Sequence, residues 1–545
     1  VHQPENKMTE SASALRRPNF LMIITDQHRA DYLGCAGHPI LKTPHIDSIA
    51  ARGVRFDQFF VANPVCMPNR ATLVTGRMPS LHGVRNNGIP LSLQANTFVD
   101  LMRHEGYRTG LMGKSHLQNM TANPAQATRC FEPRADDFAE AHKPEQVAAG
   151  AYDQERPWSW EDPGYAMTMP FYGFEDVSLA TMHGDEVGAD YIHWIRTRGG
   201  DPKTMAGPEN SLPHSYVTPQ SWRTTVPEEL YPTTYVAEKT VNWLEAYTKS
   251  GTDRPFFLTA SFPDPHHPFT PPGKYWDRYD PADFEMPDSF HHLSDQAPPT
   301  LQWVWKARGP GNDNRNHGQV AFGVSEQEAR EAMVLIWGMF AMIDDAVGRI
   351  LEKLEELGLA RNTIVIFTSD HGDFLGDHRI MLKGPMHYQG LVKVPFIWAE
   401  PDRRNSGKTC SAPSGTVDIA RTMLSRADIT PYNGIQGRNL MPEIDTLDDH
   451  GSGGAFIEDD QQRPIMGFRE SFRVHSMVTV RWRMSLYSGI PAGHGELYDL
   501  INDPHELVNL YDDPAASGAK TEMLERLARA EMETVDRSPF PTAIA

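Results

Sequence analysis

This sequence predicts an α/β fold: a large mixed, mostly parallel sheet flanked by helices, followed by a smaller C-terminal domain with a small antiparallel sheet. Three observations carry that expectation. Short runs at Phe20–Ile24, Phe256–Ser261 and Ile364–Ser369 read as strands buried on both faces, the first being continuously apolar. Each run leads directly into polar residues, which is where open α/β sheets place their sites. The clearest helix lies between the second and third runs, so strand, long helix and strand follow in a βαβ rhythm.

Taken in order, Phe20–Ile24 runs into Thr25-Asp26-Gln27-His28. Thr43-Pro44 reads as an N-cap with proline at the first helical position, and Gly53 closes that helix. From about residue 131 to 227 the texture turns to Trp, Tyr, Pro and Gly with weak periodicity. That is expected of a long insertion over the sheet's carboxyl edge, where pockets are shaped. Phe256–Ser261 leads to Pro265-His266-His267-Pro268. Ser325 and Glu328 form a capping box, Ile343, Val347, Ile350, Leu351 and Leu354 share one helix face, and Gly358 ends the helix. Ile364–Ser369 leads to Asp370-His371-Gly372-Asp373. Val478–Tyr487 alternates as a strand, Glu496–Leu500 is a second strand, and a helix is expected near 520–533. The catalytic domain is therefore expected over 19–440 and the smaller subdomain with its tail over 441–545. The tail Ser538–Ala545 is expected to reach a neighbouring subunit.

Among 545 residues, 51 Lys+Arg stand against 71 Asp+Glu, a net charge of −20. Such a surface repels nucleic acid and anionic membranes, so any positive charge that binds an anion must be local. Four cysteines (Cys35, Cys66, Cys130, Cys410) are too sparse for a disulfide framework. Cys35, Cys130 and Cys410 read as small buried apolar residues. The stretch through Pro18 is polar, without the apolar core of a secretory signal, and no window approaches 18 uninterrupted apolar residues. The expectation is a cytoplasmic enzyme.

Four polar clusters stand out: Asp26-Gln27; the segment Pro64 to Gly76; Lys114-Ser115-His116 after Gly113; and Asp370-His371, followed by Lys383. Cys66-Met67-Pro68-Asn69-Arg70, with Leu73, Thr75 and Gly76 beyond, resembles the C-x-P-x-R…L-x-T-G signature of the type I sulfatases, members of the alkaline phosphatase superfamily. The resemblance extends to Asp26-Gln27, to Gly113-Lys114-Ser115-His116, to Thr368–Gly372 and to Glu496–Pro504, and so spans about residues 19–510. It implies an alkaline-phosphatase-like sandwich and conversion of Cys66 to formylglycine by a formylglycine-generating enzyme. The hydrated aldehyde would be the nucleophile. Gln27 and His371, where many sulfatases carry Asp and Asn, resemble the phosphonate monoester hydrolase and choline sulfatase branch.

The chemistry is intelligible from the residues. A sulfate monoester is anionic, and charge develops on its leaving oxygen, so its site needs a metal, cations, an activated nucleophile and an acid. Asp26, Gln27, Asp370 and His371, with residue 66, offer a mixed O/N set to one divalent cation, Ca²⁺ or Mn²⁺. The resemblance implies that Arg70 holds the aldehyde hydrate, that Lys114, His266 and Lys383 neutralise sulfuryl oxygens or protonate the leaving oxygen, and that His116 assists breakdown of the covalent intermediate. The register of His266 against His267 stays open. Asn87 is a further sulfuryl ligand, although Arg85-Asn86-Asn87-Gly88 is also a good turn. Asp377-His378 reads equally as support or as loop, and His183 reads as packing before pocket lining. Tyr152, Trp158, Trp160, Tyr165, Phe171 and Tyr172 either face an apolar or cationic leaving group or pack the insertion.

The expected activity is hydrolysis of aryl or small alkyl sulfate esters, with promiscuity toward phosphate and phosphonate esters. The alternative is a phosphonate monoester hydrolase or phosphodiesterase using the same nucleophile and metal. The resemblance implies that phosphonate hydrolases replace the Lys-x-His pair with neutral hydroxyl side chains, so Lys114 and His116 favour the sulfatase. A non-catalytic binding protein with Cys66 unconverted is a third reading, opposed by the intact metal set and cationic ring. The expected partners are a small sulfate ester, the modifying enzyme and further copies of the chain, as a homodimer or tetramer.

Overall fold

The computed structural model describes residues 17–125, 138–162, 164–294, 296–307, 321–451, 453–461, 471–490 and 493–544. Cys130, the first residues of the 131–227 stretch, most of the polar N-terminal segment and Ala545 lie outside them. Nine strands form the main sheet: β1 (Asn19–Thr25), β2 (Val54–Phe56), β3 (Arg108–Gly113), β4 (Asp176–Thr181), β5 (Gly188–Ala189), β6 (Phe256–Ser261), β7 (Thr363–Ser369), β8 (Phe396–Ala399) and β9 (Lys408–Cys410). Their order is β9-β2-β8-β7-β1-β6-β3-β4-β5. The five strands from β7 to β4 are parallel, whereas β8 and β5 run against their neighbours.

Both faces of the centre are covered, which is why the apolar runs there are continuous. Along β1, Leu21 and Ile23 point into one core cluster while Phe20, Met22 and Ile24 point into the other. The alternation repeats in β7, with Val365 and Phe367 on the first face and Ile364 and Ile366 on the second. The first face is closed by helices α1 (Pro44–Arg52), α3 (Pro232–Lys249) and α4 (Glu326–Glu356). Helix α2 (Cys66–Thr75) lies between α1 and α3 in sequence and contributes Leu73 to the second face. The Ser325/Glu328 capping box forms as predicted.

Three expectations need correction. The Thr43 hydroxyl does not cap α1: it accepts from Gly34 N at 2.8 Å and donates to Asp47 at 2.9 Å. The first-turn amides of His45 and Ile46 donate instead to Asp344 of α4, at 3.1 and 2.8 Å, so a remote carboxylate supplies the cap. The 131–227 stretch does more than lie over the sheet: β4 and β5 within it extend the sheet itself, β4 pairing in parallel with β3. Finally, Val478–Tyr487 is not one strand. Val478 ends β11 (Arg473–Val478), the chain turns, and Trp482 opens β12 (Trp482–Ser488).

With β10 (Ala455–Asp460) and β13 (Gly495–Asp499), these strands form an antiparallel sheet in the order β10-β11-β12-β13. Helix α5 (Ser517–Glu533) packs Met523 and Leu527 onto Met477, Met484 and Leu497 of that sheet. The tail from Ser538 to Ile544 is exposed. Cys410 is buried, while Cys35 is half-buried rather than buried. Among the described residues no helix is long and apolar enough to cross a membrane.

Gly113 closes β3 opposite Ser261, with φ 112°, and a Cβ there would fall 1.8 Å from the Ser261 carbonyl oxygen. Gly113→Ala is expected to cost about 2–4 kcal/mol through strain and strand separation. Urea unfolding measures that loss.

Candidate active site

The polar ends of the parallel strands converge on the N-terminus of α2. All ten residues of this helix are buried, including Asn69, Arg70, Thr72 and Thr75, so its polar groups need partners. Asn69 accepts from Ala62 N at 3.1 Å and from Thr416 Oγ1 at 2.6 Å, and donates to the Asp370 carbonyl at 2.6 Å. Cys66 is the first residue of the helix, where the backbone dipole favours an anion. Its Sγ lies 3.1 Å from His371 Nε2, 3.1 Å from Lys383 Nζ and 3.9 Å from Asp26 Oδ1. Burial pushes its thiol up, as does Asp26, but Lys383, His371 and Lys114 outweigh both and hold it below the ordinary value.

Asp26 and Asp370, after β1 and β7, have no exposed surface. Arg70 Nε donates to Asp370 Oδ2 at 2.7 Å, while its Nη1 donates to the Lys114 carbonyl at 3.0 Å and to Ser261 Oγ at 2.9 Å. Arg70 Nη2 is buried without a hydrogen-bond partner, 3.9 Å from Asp26. The Lys114 ammonium donates to Asp26 Oδ2. Burial alone would raise the Asp26 carboxyl, but Lys114, with His266 and His183, holds it well below the usual carboxylate range.

The histidines are fixed by their backbones. His371 Nδ1–H donates to the Gly372 carbonyl at 2.8 Å, and His266 Nδ1–H donates to the His267 carbonyl at 2.6 Å. A carbonyl only accepts, so in each ring Nε2 is the open nitrogen. Lys383 Nζ sits 3.0 Å from His371 Nε2 and 3.1 Å from His266 Nε2. Of the ambiguous pair, His266 therefore joins the cluster, while His267 stacks on it with ring centroids 4.0 Å apart. His116 is buried at φ 59°, its Nδ1 without a partner. Burial holds His116 and His266 well below the usual imidazole range, with Lys114 adding at His116 and the neighbouring rings His183 and His267 adding at His266.

The donor set suits a divalent cation. Asp26, Cys66, His266 and His371 present ligand atoms within 4.8 Å of one another. Asp370 Oδ1 is 3.9 Å from His371 Nε2. Gln27, at φ 66°, donates its Nε2 to Asp373 Oδ2 at 2.6 Å, while its Oε1 is buried with no hydrogen-bond partner. A buried amide oxygen left unpaired costs about 1–3 kcal/mol, and a cation would satisfy it.

Several residues for which the sequence left two readings open make structural contacts. Asn87 is half-buried, and its Oδ1 accepts from Met67 N at 3.1 Å in the first turn of α2. Asp377 pairs with Arg29 at 2.6 Å and Ser289 at 2.9 Å, and His378 stacks on Tyr388 at 3.8 Å, so both support the loop. Phe171 and Tyr172 pack with Met67 and Ala71 of α2, and Trp160 packs on Tyr165.

Two further residues at the site lie within the 138–227 stretch, one ranked second to packing in the sequence and one missed there. His183, read first as packing, reaches the cluster, with its Nε2 2.6 Å from Lys114 Nζ. A signal existed: Val177–Thr181 followed by Met182-His183-Gly184-Asp185 repeats the strand-then-polar pattern. Glu155 is buried and accepts from His116 N at 2.7 Å, Leu117 N at 2.8 Å and Gln118 N at 3.0 Å, holding the turn that carries His116. No spacing rule points to it. Glu155→Ala would leave three amides without this acceptor and is expected to cost about 2–4 kcal/mol, with Glu155→Gln losing less because one oxygen remains. Urea unfolding of both variants ranks them; equal losses would mean that the turn needs the full carboxylate, and that one retained oxygen does not hold it.

Comparison with known proteins agrees with this geometry. The family profile described as Sulfatase matches residues 18–429, and the profile described as N-sulphoglucosamine sulphohydrolase, C-terminal, matches residues 376–533. An arylsulfatase of Clostridium perfringens is 27% identical over 507 residues, covering 91% of this chain and 90% of its own. The choline-sulfatase of Rhizobium meliloti is 22% identical, covering 91% and 83%. The phosphonate monoester hydrolase structure from Agrobacterium radiobacter superposes with a TM-score of 0.74 at 23% identity, covering 97% of this chain and 98% of that one, a likeness of fold.

Proposed function

The chain belongs to the sulfatase family, and from that premise we propose that it hydrolyses aryl or small alkyl sulfate monoesters, with residue 66 as formylglycine and one divalent metal bound by Asp26, Gln27, Asp370, His371 and residue 66. The observation that carries this reading is the convergence of Lys383, His371 and Asp26 on Cys66 Sγ, at 3.1, 3.1 and 3.9 Å. Hydrated formylglycine supplies an oxygen nucleophile and a second hydroxyl through which sulfate departs without attack by external water. A bound Ca²⁺ or Mn²⁺ supplies Lewis-acid charge, and the imidazole in the set favours Mn²⁺.

The chain's own residues bind and move protons. Arg70 turns its unpartnered Nη2 toward Asp26, where it can steady the hydroxyls of residue 66. Lys114 and Lys383, both buried, present ammonium donors to sulfuryl oxygens, and such donors act most strongly away from bulk water. Lys383 and His266, 3.1 Å apart, hold the proton that the leaving oxygen takes up. In this reading Asn87 is a further ligand for the sulfuryl group and His116 aids release of sulfate. Lys114 and His116 favour sulfate over phosphonate esters, since a Lys-x-His pair with the Lys114 cation stands where the phosphonate hydrolases are expected to carry neutral hydroxyls.

The wild type is expected to show a larger kcat/KM for 4-nitrophenyl sulfate than for 4-nitrophenyl phenylphosphonate, with Cys66→Ala lowering the sulfate rate by about 10³-fold or more. Preference for the phosphonate would select the alternative activity. Intact-mass analysis should find the converted protein about 18 Da lighter than the unmodified chain. Removal of metal by a chelator should abolish turnover, and adding back Mn²⁺ or Ca²⁺ separately identifies the ion that restores it.

A further inference from the structure

His183 enters the cluster at the carboxyl end of β4, between two residues of positive φ, Met182 at 64° and Gly184 at 56°. Gly184 backs directly onto the histidine loop: a Cβ there would fall 2.8 Å from the Pro268 carbonyl oxygen. The imidazole of His183 lies flat on His266, with ring centroids 3.6 Å apart and planes 14° from parallel. Its edge meets Lys114 Nζ at 2.6 Å, and its Nε2 is 3.6 Å from Asp26 Oδ2, beyond hydrogen-bond range.

A lysine ammonium carries three donors and no acceptor, so the 2.6 Å contact makes His183 Nε2 the acceptor. Lys114 then spends one N–H on Asp26 and a second on His183. A tetrahedral nitrogen with its carbon and two of its hydrogens fixed has no rotational freedom left, and the direction of the third N–H is set. Without His183 a single hydrogen bond, to Asp26, would hold rotation about the Cε–Nζ bond, and the third N–H would be aimed less sharply. We propose that His183 is a positioning residue for sulfate-ester hydrolysis, fixing the Lys114 ammonium so that its remaining N–H meets a sulfuryl oxygen. The inference rests on the function proposed above. The stack on His266 sets the plane of the His183 ring and so ties the placement of Lys114 to that of His266.

Two substitutions separate the acceptor from the stack. His183→Phe keeps a flat ring against His266 but cannot accept a hydrogen bond. His183→Gln loses the ring and keeps an amide oxygen that can accept from Lys114; His183→Asn serves if that variant fails to fold. The assay is hydrolysis of 4-nitrophenyl sulfate by purified enzyme whose residue 66 has been verified as formylglycine by mass. The Phe variant is expected to lose about 100-fold in kcat/KM, the scale of one misdirected donor in a dry site, and the Gln variant about 10-fold or less. In a Lys114→Ala background the Phe and Gln variants should become equal, because residues acting as one unit are not additive. A Phe variant more active than Gln would overturn the inference and assign His183 to the stack. A gap between Phe and Gln that persists without Lys114 would overturn it as well. A parent enzyme inert toward the sulfate would overturn the proposed function and this inference together, whereas an active parent with either adverse result overturns this inference alone.

Discussion

Asp26 and Asp370 close neighbouring parallel strands with no surface exposed to water, and the rest of the site is arranged around pairing them with cations. Taking a carboxylate out of water costs several kcal/mol even after relaxation, and only close, well-aligned cations offset it. Arg70 serves Asp370 from α2, and Lys114 serves Asp26 from the end of β3. Lys383 adds a third cation beside Cys66. These five groups sum to a formal charge of +1 before any metal is bound. A dication bound there raises the excess, and an anionic sulfate ester is the ligand that lowers it. Substrate charge and protein charge are thus complementary in a chain whose overall charge is strongly negative.

The loops that carry Lys114 and Lys383 are in turn held by segments outside the central strands. The Lys114 loop is gripped through its backbone by Glu155 and through its ammonium by His183, both from the 138–227 stretch. The loop beyond Lys383 is tied to the C-terminal sheet: His387 Nδ1 is 2.7 Å from Ser476 Oγ, and Gln389 N donates to Glu506 at 2.7 Å. Glu506 also pairs with buried Arg483, whose guanidinium lies over the rings of Tyr388 and Tyr498. Removing one partner of such a buried pair costs about 3–5 kcal/mol. Among the described residues the C-terminal sheet thus braces the loop beyond Lys383 without contributing a residue to the cluster.

What the sequence disclosed follows the same division. β1, β6 and β7 were legible because strands covered on both faces need long apolar runs, and α4 was legible because its cap and its periodic face agree. β2, β8 and β9 were not, since three or four residues carry too little period to separate from loop. β4 was passed over because its first half is only partly buried and it lies in a loop-rich stretch. Thr43 shows the limit of local reading: the residue type suited a cap, but Asp344, far along the chain, took the amides. In the site, groups within compact motifs were named in advance. Asn87 reads as a ligand with a turn as the alternative, and the structure gives its oxygen to Met67 N. Glu155 was invisible because it acts on backbone amides, which carry no residue identity.

Neutral rings reconcile the crowding of cations in this cavity. Lys114 donates to His183, the His183 ring stacks on His266, and His266 faces Lys383 across 3.1 Å. Two ammonium groups are thereby joined through a pair of imidazoles rather than placed against each other. The arrangement needs rings that accept hydrogen bonds, and burial supplies them by disfavouring the charged form. His183 is held at about 3 chiefly by burial and by Lys114, and His266 is also held well below its usual range. Exposed histidines in the same places would gain protons as the pH fell, lose their acceptor nitrogens and repel the lysines they steady. The dryness that makes each buried charge costly is thus also what keeps the intervening rings neutral, and a site open to water would lose both the field of its cations and the acceptors that aim them.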